Sequence, residues 1–199
     1  MSLKTYAATK NGGKLAELQT LFAGSELDLD TYPAYRDVEE TALNYAANAL
    51  LKAVALAEQL HEAGIRAAVL ADDSGIEVDA LDGAPGIFSA RYAPGKSWRE
   101  RLRVLLDEVG DATPPPRRGC KFVCAMALVL PDGRNVEGYG EVAGFLTREP
   151  AGTHGFGYDP VFYHPPSGKT FGELPAHEKD RVSHRYRAAQ ALLQALRAA

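Results

Sequence analysis

Residues Ala67–Leu81 read AAVLADDSGIEVDAL, and the reading of their middle decides the fold. The apolar opening predicts a short buried strand over Ala67–Ala71, and the alternation of Ile76, Glu77 and Val78 predicts another. Between them stand Asp72, Asp73, Ser74 and Gly75, where Asp, Ser and Gly all favour turns. Two carboxylates at the end of an apolar strand are unfavourable unless a cation or a turn absorbs their charge. Neighbours in an extended chain point to opposite sides, so one aspartate is expected to face a pocket while the other bonds to the backbone.

Strand and helix patterns alternate on both sides of this stretch. Leu3–Ala8 and Leu27–Tyr32 read as strands, with a helical period between them over Lys14–Phe22. Thr41–Ala63 is rich in Ala and Leu, the best helix formers, and Gly64 is a plausible stop. Trp98–Val109 reads as an amphipathic helix, and Thr113–Arg118, TPPPRR, as an irregular surface connector. Lys121–Leu130 predicts a long central strand, turned by Pro131, Asp132 and Gly133 into an alternating strand over Asn135–Leu146. Ser183 is placed to cap a last helix running to about Leu196. The expectation is an α/β fold, a mixed sheet with helices on its faces, formed by residues 1–199 as one domain.

Composition narrows the function classes. The net charge of −4 gives no basic field for nucleic acid or an anionic membrane. The longest apolar run, Phe122–Leu130, is far short of the roughly 20 residues that span a bilayer, and MSLKTYAATK has no signal-peptide core. A soluble, cytoplasmic protein is expected. The two cysteines, Cys120 and Cys124, share one strand face and read as apolar fillers rather than zinc ligands.

Four constellations carry possible chemistry. In Ala8–Leu18, ATKNGGKLAEL, a glycine pair leads into a helix opened by Lys14; free amides at a helix start plus an ammonium favour an anion, and Asn11 is placed to donate a further hydrogen bond. An exposed lysine after a plain strand-turn-helix link is the simpler alternative. Glu39 and Glu40 precede the long helix; one of them meeting an aspartate of the first stretch would suit Mg²⁺ beside phosphates, and first-turn glutamates are the bland reading. Arg91 lies in a turn-rich segment, where phosphate steering and an ordinary surface arginine fit equally. In Gly155–Ala189, Phe156 sits between glycines, Asp159 precedes Pro160 and is biased to extended backbone, and Lys179, His184 and Arg185 gather near a helix start. A ring and several donors are what a nucleobase needs.

These segments, in this order, resemble the inosine triphosphate pyrophosphatase family, also called XTP/dITP diphosphatases. The matching stretches are TKNGGKLAEL, VEETALNYAANALLKA, ADDSGIEVDALDGAPGIFSARYA, TREPAGTHGFGYDPVF, GKTFGEL and EKDRVSHR, spread from residue 9 to residue 185. The resemblance implies hydrolysis of ITP, dITP and XTP to the monophosphate and pyrophosphate, cleansing the nucleotide pool. It also implies two lobes around a long sheet with a cleft between them, dependence on Mg²⁺, and a homodimer. By motif, Thr9, Lys10, Asn11, Gly12, Gly13 and Lys14 resemble the triphosphate cradle and Lys52 a lysine near the phosphates. Asp73 resembles the general base and a metal ligand, Glu39 its partner ligand, and Ser74 a substrate contact. Phe156, Gly157, Tyr158, Asp159, Lys179, His184 and Arg185 resemble the nucleoside-binding set. Lys10, Ala42 and Ala47 depart from residues usual in the family.

The chemistry implied is attack of a water, oriented by Asp73, on the α-phosphorus. Arg185 and Lys179 would then favour a 6-oxo over a 6-amino purine, being donors only. Two other classes remain open on the sequence: a pyrophosphatase of modified pyrimidine nucleotides, and a catalytically silent nucleotide-binding module.

Overall fold

The computed structural model describes residues 2–110 and 115–198, with the side chains of 115 and 116 excepted. Seven strands form one open sheet in the order β2-β1-β3-β4-β5-β6-β7. They are β1 (Leu3–Ala7), β2 (Leu27–Thr31), β3 (Ala68–Val78), β4 (Gly119–Val129), β5 (Asn135–Leu146), β6 (Phe162–His164) and β7 (Lys169–Thr170). The helices are α1 (Gly12–Leu21), α2 (Tyr45–Glu62), α3 (Trp98–Val109), α4 (Ala176–Lys179) and α5 (His184–Ala198). β1 runs parallel to β2 and β3, while β6 runs antiparallel to β5 and β7, so the sheet is mixed as expected.

The first stretch behaves differently from the reading of its residues. Ala67–Ala71 and Ile76–Val78 are not two strands parted by a turn; DDSG lies inside a single eleven-residue strand, β3. β3 lies between β1 and β4 in the sheet, paired with β1 over Ala68–Leu70, and it runs on extended through DDSG despite the turn preference of these residues.

The chain divides into two compact units: residues 1–73, 124–140 and 184–199, and residues 74–123 and 141–183. β3, β4 and β5 each pass from one unit to the other. In the first unit, α1 and α5 bury Leu18, Phe22, Leu192 and Leu193 with Leu70, Met126 and Leu128 of the sheet. Ala49, Ala53, Leu56 and Leu60 of α2 pack with Val69 and Ala71 in a second cluster. α2 starts where the Asn44 side chain accepts the Ala47 N–H, four residues later than the composition predicts, so Glu39 and Glu40 precede the helix rather than open it. It ends in a Schellman turn, with Gly64 at φ 71° and the Ile65 N–H bonded to the Leu60 carbonyl. Gly138 and Gly140 let α5 lie directly on β5, because a Cβ at either would run into the α5 backbone at His184 or Ala188.

The second unit is built on α3, which has the predicted bounds and a capping box between Ser97 and Glu100. Its Leu102, Leu105, Leu106 and Val109 pack with Ile76, Val78, Phe122, Phe162 and Phe171. The connector before β4 corrects another expectation. Residues 111–114 lie outside the described residues, Pro115–Arg118 is a 3₁₀ turn, and Arg118 is buried rather than on the surface. Its guanidinium donates to the carbonyls of Gly110, Leu146 and Thr147, so a charge at a predicted loop works as an internal brace. Cys120 and Cys124 are buried free thiols, and burial pushes both up.

Candidate active site

Asp72 and Asp73 do point apart, and each meets its own set of charges. Asp72 Oδ2 receives the Lys14 ammonium at 3.1 Å and Arg185 Nε at 3.2 Å, while Arg185 Nη1 lies 3.0 Å from Glu17 Oε2. All of Glu17, Asp72 and Arg185 are buried. Asp72 Oδ1 has no hydrogen-bond partner among the described residues. Burial by itself would push Asp72 up, but Lys14, Arg185 and Lys52 outweigh it and hold the carboxyl well below the usual aspartate range.

Asp73 faces α2. Its Oδ2 accepts from Asn48 Nδ2 at 3.1 Å, and its Oδ1 lies 3.7 Å from the Lys52 ammonium. The same ammonium lies 2.7 Å from Glu40 Oε1. Asn48 and Lys52 are one helical turn apart, so α2 presents both to the same carboxylate. Asn48 Oδ1 also accepts the Ala42 N–H, which ties the glutamate segment to the helix. Burial pushes Asp73 above the ordinary aspartate range; Lys52 opposes this and the Glu40 charge adds to it. Lys52 is nonetheless held protonated, since Asp72, Asp73 and Glu40 together outweigh the effect of its burial.

The second carboxylate was expected at Glu39. The side chain that the structure joins to Lys52 is Glu40, and Glu39 is exposed. The cradle at α1 also differs from its reading. Asn11 is the N-cap, and its Oδ1 accepts the amides of Gly13 and Lys14, which occupies two of the amides expected to be free for an anion. Thr9 Oγ1 accepts the Asn11 N–H, and Lys10 is exposed, its ammonium 6.0 Å from the centroid of the Tyr35 ring. Ser74 is half-buried on β3.

In the second unit, Asp159 Oδ2 accepts both the Phe156 N–H and the Lys179 ammonium, each at 2.9 Å. The ammonium stands 5.0 Å from the centroid of the Phe156 ring. Asp159 opens a 3₁₀ turn instead of lying extended before Pro160, because these two bonds draw its side chain back over Phe156. Gly155, at φ 70°, leaves the space the carboxylate occupies, where a Cβ would collide with it. Tyr158 is buried, with its hydroxyl on the Ser89 carbonyl at 2.9 Å. His184 and Arg185 belong to the first unit, buried at the start of α5. Arg91 is exposed beside the Phe88 ring.

Residues 5–195 match the sequence model of the Ham1 family. The chain belongs to that family. It is 44% identical to the dITP/XTP pyrophosphatase of Halalkalibacterium halodurans, covering 93% of this chain and 94% of that one. It is 46% identical to the dITP/XTP pyrophosphatase of Streptomyces coelicolor, over 96% and 95% of the two chains. The solved structure of a HAM1 protein from Coxiella burnetii superposes with a TM-score of 0.84 at 36% identity, over 99% of this chain and 100% of that one. The α/β fold with its mixed sheet is therefore a Ham1 fold.

Three members of the polar set in this Ham1 chain escaped the sequence reading: Glu17, Asp72 as an ion-pair hub, and Asn48. A signal for two of them was present in spacing. Glu17 stands three residues after Lys14, and Asn48 four before Lys52, so each shares a helix face with a lysine already singled out. Among the described residues no group of three or more His, Cys, Asp or Glu is arranged to hold a metal, and no helix is long and apolar enough to cross a membrane.

Proposed function

We propose that this chain is a nucleoside-triphosphate pyrophosphatase that hydrolyses dITP, XTP and ITP to the monophosphate and pyrophosphate. The observation that carries the reading is the buried pair of opposed charge systems on β3, in a chain 44–46% identical to dITP/XTP pyrophosphatases along almost its whole length.

Asp73 is the proton acceptor for the attacking water. A carboxylate raised by burial is closer to the operating pH than a free aspartate, and so a better base. Asn48 fixes its orientation through Oδ2 and leaves Oδ1 on the side of Lys52. Lys14 and Lys52 carry the positive charge for the triphosphate, and their carboxylate partners hold them in place before substrate arrives. Phe156 supplies a face for the purine, and Lys179, fixed by Asp159, donates to its 6-oxo group.

The residues present fit Mg²⁺. One cation, the Lys52 ammonium, already lies between oxygens of Asp73 and Glu40, and Mg²⁺ takes one or two carboxylates beside substrate phosphates rather than a full protein cage. Asp73 and Glu40 would hold it, with Glu39 next in the chain, and it would neutralise charge on the phosphate oxygens and acidify the bound water.

The test is to incubate the purified chain and Mg²⁺ with dITP, XTP, ITP, GTP, ATP and dUTP, and to separate the products by anion exchange. Pyrophosphate and the monophosphate from dITP, XTP and ITP, at rates well above those for ATP, are expected. Orthophosphate as product, faster cleavage of dUTP, or no turnover would overturn the reading.

A further inference from the structure

The loop that carries Phe156 has little stiffness of its own, since Gly155 and Gly157 flank the ring and both adopt positive φ. Asp159 ties its two ends together, and Tyr158 anchors it through the Ser89 carbonyl. A further side chain lies against it. Trp98, the first residue of α3, packs edge-on to Tyr158, with ring centroids 5.4 Å apart and planes at 83°. The far edge of the same indole is 3.7 Å from where a Cβ on Gly157 would stand.

Trp98 is not core filler. It is 43% exposed, and it borders a cavity of about 840 Å³ lined also by Leu102, Pro150, His154, Phe156 and Pro160. The Arg101 guanidinium covers the indole at 5.1 Å and is itself tied to the carbonyls of Lys96 and Ala90. The indole is thus held from one side by a fixed cation and presses on the loop from the other. The Phe156 ring has the cavity on one side and the Lys179 ammonium on another, so it has room to leave the position in which a purine would stack.

We propose that Trp98 is a positioning residue for nucleobase recognition: it braces Gly157 and Tyr158 so that the Phe156 ring stays beside Lys179. This rests on the reading of Phe156 and Lys179 as the base-binding pair. Loss of the brace weakens binding of the base and leaves the reacting groups on β3 untouched.

Trp98 is the chain's single tryptophan, so its emission reports on this loop directly. Steady-state kinetics of Trp98→Ala and Trp98→Phe on dITP are compared with the parent chain, and the emission of Asp73→Asn is followed during titration with dITP and with inorganic triphosphate. The expected result is a KM raised about three- to tenfold in Trp98→Ala with kcat within twofold. Trp98→Phe keeps a KM near the parent value, and the emission changes with dITP but not with inorganic triphosphate. An unchanged KM in Trp98→Ala, a fall in kcat alone, or an emission indifferent to dITP or equally sensitive to inorganic triphosphate would overturn the proposal. Failure of the functional reading is separate, since it would appear as absence of pyrophosphate release from dITP and XTP by the parent chain.

Discussion

Arg185→Ala tests the charge system behind β3. Arg185 is 3% exposed and gives Nε to Asp72 and Nη1 to Glu17. Its removal leaves two buried carboxylates sharing fewer cations. Breaking a buried pair by deleting one partner costs about 3–5 kcal/mol, because the other charge stays behind without its counter-ion. Unfolding entropy near the midpoint is about 2.1 cal/mol/K per residue, or about 0.4 kcal/mol/K for this length, so the loss corresponds to a fall in Tm of roughly 7–12 °C. Calorimetry at pH 7 measures it. Glu17→Gln placed in the Arg185→Ala background removes one of the stranded charges and should restore part of the Tm, as a double-mutant cycle resolves.

The pH dependence has a definite sign. Asp72 is held below its unfolded pKa, so its contribution is complete above the ordinary aspartate range, about pH 4, and is lost as pH falls below that. The Tm gap between Arg185→Ala and the parent should therefore narrow in acid. A gap under about 2 °C at pH 7, or no recovery in the double variant, would refute the assignment of Arg185 as the counter-ion of Asp72 and Glu17.

Two further variants probe the face toward α2. Asp73→Asn should lower kcat by about 10²–10⁴-fold, as loss of a general base does, while Tm holds or rises by an amount worth up to about 1 kcal/mol, because burial already disfavours the charged carboxylate; a variant of near-parental turnover would remove Asp73 from the chemistry. Glu40→Gln should raise the Mg²⁺ concentration needed for half-maximal rate about tenfold or more, whereas Glu39→Gln should change it less than threefold; the reverse order in a Mg²⁺ titration would return the second carboxylate to Glu39.

Much of the architecture was legible because it is carried by periodicity. The bounds of α3 follow from its apolar spacing, and the alternation of Asn135–Leu146 sets β5. β3 departs from its local reading because its central residues are turn formers by preference, and they stay extended where charges brought from α1, α2 and α5 meet the two aspartates. Arg118 was placed outside for a related reason. Prolines announce a connector, but nothing in TPPPRR tells that three carbonyls from distant segments converge on its guanidinium. The lysines of the site were visible by motif. Their partners Glu17 and Asn48 were not, since an ordinary helical Glu or Asn gains its meaning only from what lies opposite.

The adjacency of Asp72 and Asp73 also accounts for the division of labour. Asp72 and Asp73 have the same side chain, the same strand and nearly the same burial, yet burial and neighbours move them in opposite directions. Alternation along β3 sends Asp72 toward Lys14 and Arg185, where two cations make it a permanent anion that positions them. It sends Asp73 toward Lys52, Asn48 and Glu40, where one ammonium is shared between two carboxylates and a proton is more easily taken up. Pairs of like groups driven apart in this way mark out which is structural and which can exchange a proton. A one-residue shift of β3 would exchange the two roles, setting Asp73 beside Lys14 and Arg185 as the fixed anion and Asp72 beside Lys52 as the proton acceptor, so the register of this strand decides which aspartate does the chemistry.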